Sequence, residues 1–240
     1  QIASESRALQ IPMMFASYEE LDYVMDRITP KFEAAFESKG FKVLHWADAG
    51  WVHFCAQKPV VYEEDLKPLK LFVWAGDTVA VDVWKDAGYR PVPLPATEIY
   101  MGLQSGLINA FSTTPLAALS FQWFGLAKHM TALKWAPLIG ATVISMKKWQ
   151  RIPDDVKPVL LRSALVAGGR MMSETRKLGE EAVEVIQGVV NERRGQLIDY
   201  GWREPEKGGF VGVGRGKWRT ATRPARPRSR SSQVLLRMPP

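Results

Sequence analysis

Cysteine is almost missing from this chain of 240 residues: Cys55 stands alone, so no internal disulfide can form and the redox character of its surroundings leaves no mark on the sequence. Histidine is scarce as well. His45, His53 and His129 have no second His, Cys or carboxylate at metal-ligand spacing, so neither a metal site nor a cofactor is expected. No apolar run approaches ~20 residues, so none reads as a bilayer-spanning helix. There is no G-x-S-x-G elbow and no glycine-rich phosphate loop after a strand. The glycine-rich piece at 208–216 has no helix behind it, which leaves nucleotide binding unsupported. His53 and Cys55 alternate along one strand face, as a thiolate–imidazole pair would. Residues two apart on a strand ordinarily just share a packed face, so catalysis is not expected.

What is present is a large apolar content, 46%, enough to bury a sizeable core in one or two domains. The net charge of +7 is unevenly placed: residues 1–202 carry 22 basic and 23 acidic groups, while 203–240 carry ten Lys or Arg against Glu204 and Glu206. That tail is rich in Gly, Pro, Arg and Ser without a period and is expected to lack order. Its alternative reading is an arm for nucleic acid or an anionic surface through Arg215 to Arg230, since clustered Arg releases counterions from phosphate.

The most informative stretch runs from Leu69 to Pro115 and reads strand, helix, strand, helix, strand. The apolar run Leu69 to Trp74 stops at Ala75-Gly76-Asp77, where Gly frees the backbone and Asp can cap the next helix. Val79, Val83, Trp84 and Ala87 then fall at helical spacing before Gly88. Pro91-Val92-Pro93-Leu94-Pro95 is extended and, lacking donors, fits only an edge strand. A second helix carries Ile99 and Leu103 and ends at Gly106, after which Leu107 to Phe111 reads as a buried strand. Crossover helices make these strands parallel, and ligands of such sheets gather beyond the carboxyl ends, here Trp74 to Asp77 and Ser112 to Thr114.

Elsewhere Ser17-Tyr18-Glu19-Glu20 is a capping box opening a helix with Pro30 inside it and Gly40 at its end. Strands follow at Phe41 to Trp46 and Gly50 to Ala56, and a long one at Ala136 to Met146. After Pro153 apolar residues recur at helical spacing from Val156 to Val189, as one helix or two, with Gly168-Gly169 as the expected bend. Gln196 to Trp202 reads as a last strand.

The phrases LKLFVWAGD, PVPLPATEIYMGLQSGLINAF and ATVISMKKWQRIPDDVKPVLL resemble the solute-binding proteins of tripartite ATP-independent periplasmic (TRAP) transporters, the dicarboxylate-binding DctP type, from about Ile11 to Tyr200. The resemblance implies an α/β fold like that of periplasmic binding proteins, with two lobes, mixed sheets, crossing strands and a long inter-lobe helix. The expected division is 1–50 as part of lobe I, 51–135 as lobe II, 136–202 as crossing strand, long helix and return strand shared between lobes, and 203–240 as the basic tail. It implies a periplasmic binder, not an enzyme, that traps one small organic molecule between lobes closing like a hinge. The partner it implies is the membrane subunits of a TRAP-type transporter, and nucleic acid is not an expected partner. No secretory signal stands at Gln1, and the family's first strand and helix are expected ahead of it.

Two departures qualify the ligand. Family members usually hold a carboxylate with an arginine where this chain has Phe72, often with another aligned near Val52, so the natural guanidinium fork is missing. An asparagine often seen before Pro115 is replaced by Thr113-Thr114, which keep hydroxyls but no amide. The expected ligand contacts are therefore aromatic and hydrogen-bonding: Trp74, Gly76 and Asp77 on one lobe, Thr113 and Thr114 nearby, and Trp51 and His53 on the hinge side.

Overall fold

The structure, a computed structural model, describes the backbone of residues 4–192, 199–200, 210–214 and 217–221, with side chains within 5–186. Its elements in chain order are α1 (Tyr18–Ser38), β1 (Phe41–Ala56), α2 (Glu63–Leu66), β2 (Lys70–Trp74), α3 (Thr78–Asp86), β3 (Arg90–Leu94), α4 (Ile99–Ser105), β4 (Ala110–Thr113), α5 (Pro115–Ser120), β5 (His129–Thr131), β6 (Ala136–Ser145), α6 (Met146–Trp149), α7 (Lys157–Glu192), β7 (Asp199–Tyr200), β8 (Phe210–Gly214) and β9 (Lys217–Ala221). They fall into two units. The first takes Gln1–Val52, Thr114–Leu116 and Lys134–Val183, and the second takes His53–Thr113, Ala117–Leu133 and Glu184–Pro240.

In the first unit the Ser17 hydroxyl accepts from the Glu20 backbone N–H at 3.3 Å, and the Glu20 carboxylate accepts from Ala16 N–H at 2.8 Å. Two orphan donors are thereby satisfied and α1 starts. Pro30 lies inside the helix without ending it. The two strands expected at Phe41 to Trp46 and Gly50 to Ala56 are one strand, β1. Gly50, at φ +95°, takes up a bulge between Asp48 and Trp51 in the antiparallel ladder with β6 and so does not break the strand. Leu9, Phe15, Leu21, Phe32 and Trp51 form the core.

Across 36 residues, α7 reaches roughly 54 Å and runs without interruption through Gly168-Gly169. Gly168 answers a packing need: a Cβ there would overlap the ring of His45 on β1. Two turns on, Arg176 donates to Asp22 of α1 at 2.8 and 2.6 Å and to Asp48 of β1 at 3.0 and 2.6 Å. Its guanidinium also lies 4.1 Å from the centroid of the Tyr18 ring. One cation thus ties α7 to α1 and to the strand beside its bulge.

The second unit is built on a sheet ordered β3-β2-β4-β1-β5-β7. The proline-bearing β3 lies at the edge, as a strand short of donors must. β2 pairs parallel with both β3 and β4, while the last residues of β1 pair antiparallel with β4 and β5. The strand expected at Leu107 to Phe111 starts later, at Ala110. Gly106, at φ +73°, ends α4, and the closure that follows, with Ile108 N–H donating to Gly102 C=O at 3.0 Å, uses the intervening residues. Edge-to-face contacts of Phe54 with Trp84 and of Phe111 with Trp123 fill the sheet's surroundings.

Of the strand expected at 196–202, Asp199–Tyr200 is described and pairs parallel with β5. Within the basic tail, β8 and β9 pair as an antiparallel hairpin. The rest of the tail, and with it most of the Arg215 to Arg230 arm, lies outside the described residues.

Candidate functional site

In the second unit β2 and β4 end at one level, and β1 passes beside β4 there in the opposite direction. His53 of β1 and Thr113 of β4 are ladder partners, and extending the parallel pairing of Leu71 with Ala110 by three residues brings Trp74 of β2 level with Thr113. Residues at one level share a face of the pleat, so the row Trp74, Thr113, His53 presents an indole, a hydroxyl and an imidazole to one side. The same face carries Phe72 and Phe111 one step inward, both buried.

Each member of the row is held by its own chain. Trp74 is 56% exposed, with its ring edge-on to Phe72 at 5.6 Å. Gly76, at φ +92°, turns the backbone after it, and Asp77 accepts from Ala80 N–H at 3.2 Å, capping α3. His53 Nδ1 lies 2.9 Å from Thr131 C=O. A carbonyl only accepts, so Nδ1 is the donor and carries a proton. Thr131 also accepts from Phe54 N–H through its hydroxyl at 3.2 Å, which fixes β5 against the end of β1.

The other two expected contacts, Trp51 and Thr114, belong to the first unit and are buried there. Trp51 is a core residue, 5% exposed, its ring tilted at 5.4 Å from Tyr18. Thr114 reaches 4.0 Å from where a Cβ on Gly50 would stand. Thus His53, Trp74, Gly76, Asp77 and Thr113 lie at or just beyond one level of the sheet in the second unit, while Trp51 and Thr114 are buried within the first. Phe72 is 3% exposed and contributes packing.

Sequence reasoning overlooked the groups around Trp51. Lys134 sets its ammonium 5.4 Å from the Trp51 ring centroid, and burial together with Asp48 pushes the Tyr18 hydroxyl up to about 12. Hydrogen bonds donated to Asp22, then to Asp48, hold Arg176 firmly charged against the cost of its burial. Nothing in a lone Lys or a mid-helix Arg signals such placements.

Catalytic chemistry at Cys55 meets an obstacle: burial pushes its thiol up to about 12, away from the thiolate a nucleophile needs. Among the described residues no group of His, Cys, Asp and Glu could hold a metal ion, and no helix is long and apolar enough to cross a membrane. Concave surfaces are formed within the first unit, one by Met14, Tyr23 and Val24 and another by Arg162, Val166 and Arg170.

Comparison with known proteins adds a family and a fold. The pattern of the DctP family, "Bacterial extracellular solute-binding protein, family 7", matches residues 1–193. The chain is 26% identical over 185 residues to the 2,3-diketo-L-gulonate-binding periplasmic protein YiaO of Escherichia coli (strain K12), covering 75% of this chain and 55% of that protein. It is 25% identical over 201 residues to the C4-dicarboxylate-binding periplasmic protein DctP of Vibrio cholerae serotype O1, covering 80% and 60% respectively. The chain therefore spans little more than half the length of these curated relatives. Among solved structures, the periplasmic ectoine-binding protein of the TeaABC TRAP transporter of Halomonas elongata superimposes with a TM-score of 0.75 at 19% identity, over 83% of this chain and 65% of that one. A TRAP periplasmic solute-binding protein of Xanthobacter autotrophicus Py2, with bound β-D-galacturonate, gives 0.72 at 22%, over 85% and 67%. These likenesses show the two-lobe α/β fold expected from the sequence.

Proposed function

This chain belongs to the DctP family, the family 7 bacterial extracellular solute-binding proteins, and from that premise we propose that it captures one small organic acid outside the cytoplasm and delivers it to the membrane subunits of a TRAP-type transporter. The observation that carries the reading is the row of Trp74 and Thr113 at the carboxyl ends of the parallel strands β2 and β4, the place where sheets of this kind receive ligands, with His53 of the antiparallel β1 beside Thr113. An exposed indole flanked by a hydroxyl and an imidazole offers a flat apolar wall with hydrogen-bonding groups beside it, which suits a sugar acid or a short organic acid. Similar structures hold β-D-galacturonate, succinate or D-glucuronate as bound molecules, and these define the first ligands to try.

Binding is the whole task in this proposal, with no bond made or broken. The resemblance adds enclosure by two lobes that close on the ligand, and a ligand drives such a change only through its differential affinity for the closed form. The Trp51 and Thr114 contacts belong to this part of the proposal. The test is a thermal-shift screen of the full chain against sugar acids, C4-dicarboxylates and ectoine, with scattering in solution for any compound that shifts the transition. A saturable rise in melting temperature with a smaller radius of gyration supports capture. A folded chain whose transition no compound moves contradicts it.

A further inference from the structure

We infer that two copies of this chain associate through the outer face of α7, antiparallel about a two-fold axis beside Met172, with Arg170 of each copy against Glu174 of the other and Val166 against Leu178. All four residues belong to the first unit, which holds α7 as far as Val183. The inner side of the helix is fixed by two contacts: Gly168 lies against the His45 ring, and Arg176 donates to Asp22 and Asp48. Residues two apart on an α-helix of 3.6 residues per turn point nearly opposite ways. Val166 and Arg170 are each two residues from Gly168, and Glu174 and Leu178 are each two from Arg176, so all four point outward. Their burial agrees: Val166 is 64% exposed and Leu178 43%, and Arg170 and Glu174 are exposed as well.

The outer face has the build of a packing surface. Val166, Arg170, Glu174 and Leu178 recur every four residues, the ridge by which helices most commonly pack on one another. The ridge is apolar at both ends and carries one cation and one anion between them. Beside it Ser163, Val166, Ala167 and Arg170 border a concavity, at the spacing of a hole that receives one side chain from a facing helix. Val159, also exposed, continues the apolar surface toward the start of the helix. Among the described residues neither Arg170 nor Glu174 forms an ion pair.

The order of the ridge identifies the occupant as a second copy. Arg170 and Glu174 stand two residues on either side of Met172, and Val166 and Leu178 stand six on either side. A two-fold axis there sets every cation against an anion and every apolar side chain against an apolar one, the self-complementarity that an isologous interface requires. Leu178 of the second copy then enters the concavity bordered by Val166 and Arg170. A parallel pair in register would set Arg170 against Arg170 and Glu174 against Glu174, which like-charge repulsion disfavours. One helix-on-helix contact lies at the small end of specific interfaces, so the dimer should dissociate at roughly micromolar concentration.

The test is sedimentation velocity of the full chain across the micromolar range, for the parent, for Arg170→Glu, for Glu174→Arg and for the variant carrying both changes. Both positions are exposed, so every variant should melt as the parent does. The expected result is a monomer–dimer equilibrium in the parent that either single change weakens at least tenfold, by setting like charges together. The double variant should recover it within a few-fold, because exchanging the two charges keeps every facing pair opposite in sign. A parent that stays monomeric overturns the inference, whatever else covers this face. A dimer that neither single change weakens joins through another surface and overturns it too. Loss in both single variants without recovery in the double overturns the pairing of Arg170 with Glu174 and with it the two-fold arrangement. Ligand capture stands or falls separately, on the binding screen.

Discussion

Gly168 on α7 lies against the imidazole of His45 on β1, where any Cβ would overlap the ring, whereas its neighbour Gly169 has nothing within 4 Å of the same construction. The two glycines therefore make opposite demands. Gly168→Ala should destabilise the chain by about 1–3 kcal/mol, the usual cost of overpacking, which outweighs the better helix propensity of Ala. Gly169→Ala should stabilise it by up to about 1 kcal/mol. Urea unfolding of both variants checks the pair, and His45→Ala combined with Gly168→Ala should recover part of the loss. Equal effects at the two positions would contradict the packing described.

Arg176 should matter far more than one of its two partners. Asp48 has a side chain 3% exposed, so Arg176→Met leaves a buried carboxylate without its cation, a loss of about 3–5 kcal/mol. Asp22 is 47% exposed, and Asp22→Asn should cost no more than about 1 kcal/mol. The order of the denaturant midpoints decides the matter, and an Asp22→Asn variant as unstable as Arg176→Met would show that the network is organised differently.

Much of the scaffold was legible because local rules act alone there. Asp77 caps α3, Gly106 ends α4 in the left-handed region, and the proline-bearing strand takes the sheet edge, each for a reason confined to a few residues. Failures came where a glycine answers to a distant neighbour. Gly50 reads as a strand end but forms a bulge whose N–H is accepted by Asp48 at 3.1 Å, and Gly168 reads as a bend but admits a ring from another element. In the candidate site, Trp74, Thr113 and His53 follow from strand ends and register. The place of Lys134 over the Trp51 ring in the first unit does not, because only the folded unit brings the two together.

Alkaline pH should weaken the fold through two groups. Burial pushes Cys55 up from 9.0 to about 12 and Tyr18 up from 10.0 to about 12. Both values are raised above those of the unfolded chain, so their contribution is fully present below pH 9 and is lost as pH rises toward 12. The same burial should keep Cys55 unreactive to a thiol reagent at pH 8 until urea unfolds the chain. Prompt labelling of the native protein would contradict this.

Acid should act through His129, whose value burial lowers from 6.5, with Lys128 adding to the shift. The unfolded chain then takes up the proton first, so the contribution present above pH 6.5 declines as pH falls toward the folded value. Replacing His129 with Gln should flatten stability between pH 7 and 5. An unchanged slope would place the acid sensitivity elsewhere.

Trp74→Ala should separate binding from folding. With its ring 56% exposed, the substitution should change stability by no more than about 1 kcal/mol while weakening ligand at least tenfold and abolishing the ligand-dependent change in Trp fluorescence. Retained affinity would move the ligand away from the strand-end row.

The most direct measurement is titration calorimetry of the full chain with D-galacturonate, D-glucuronate and succinate. A saturable heat with one molecule bound per chain, for at least one of them, is the expected outcome. A chain that unfolds cooperatively yet gives no binding heat with any of the three, up to millimolar concentration, would contradict its reading as a carrier of small organic acids.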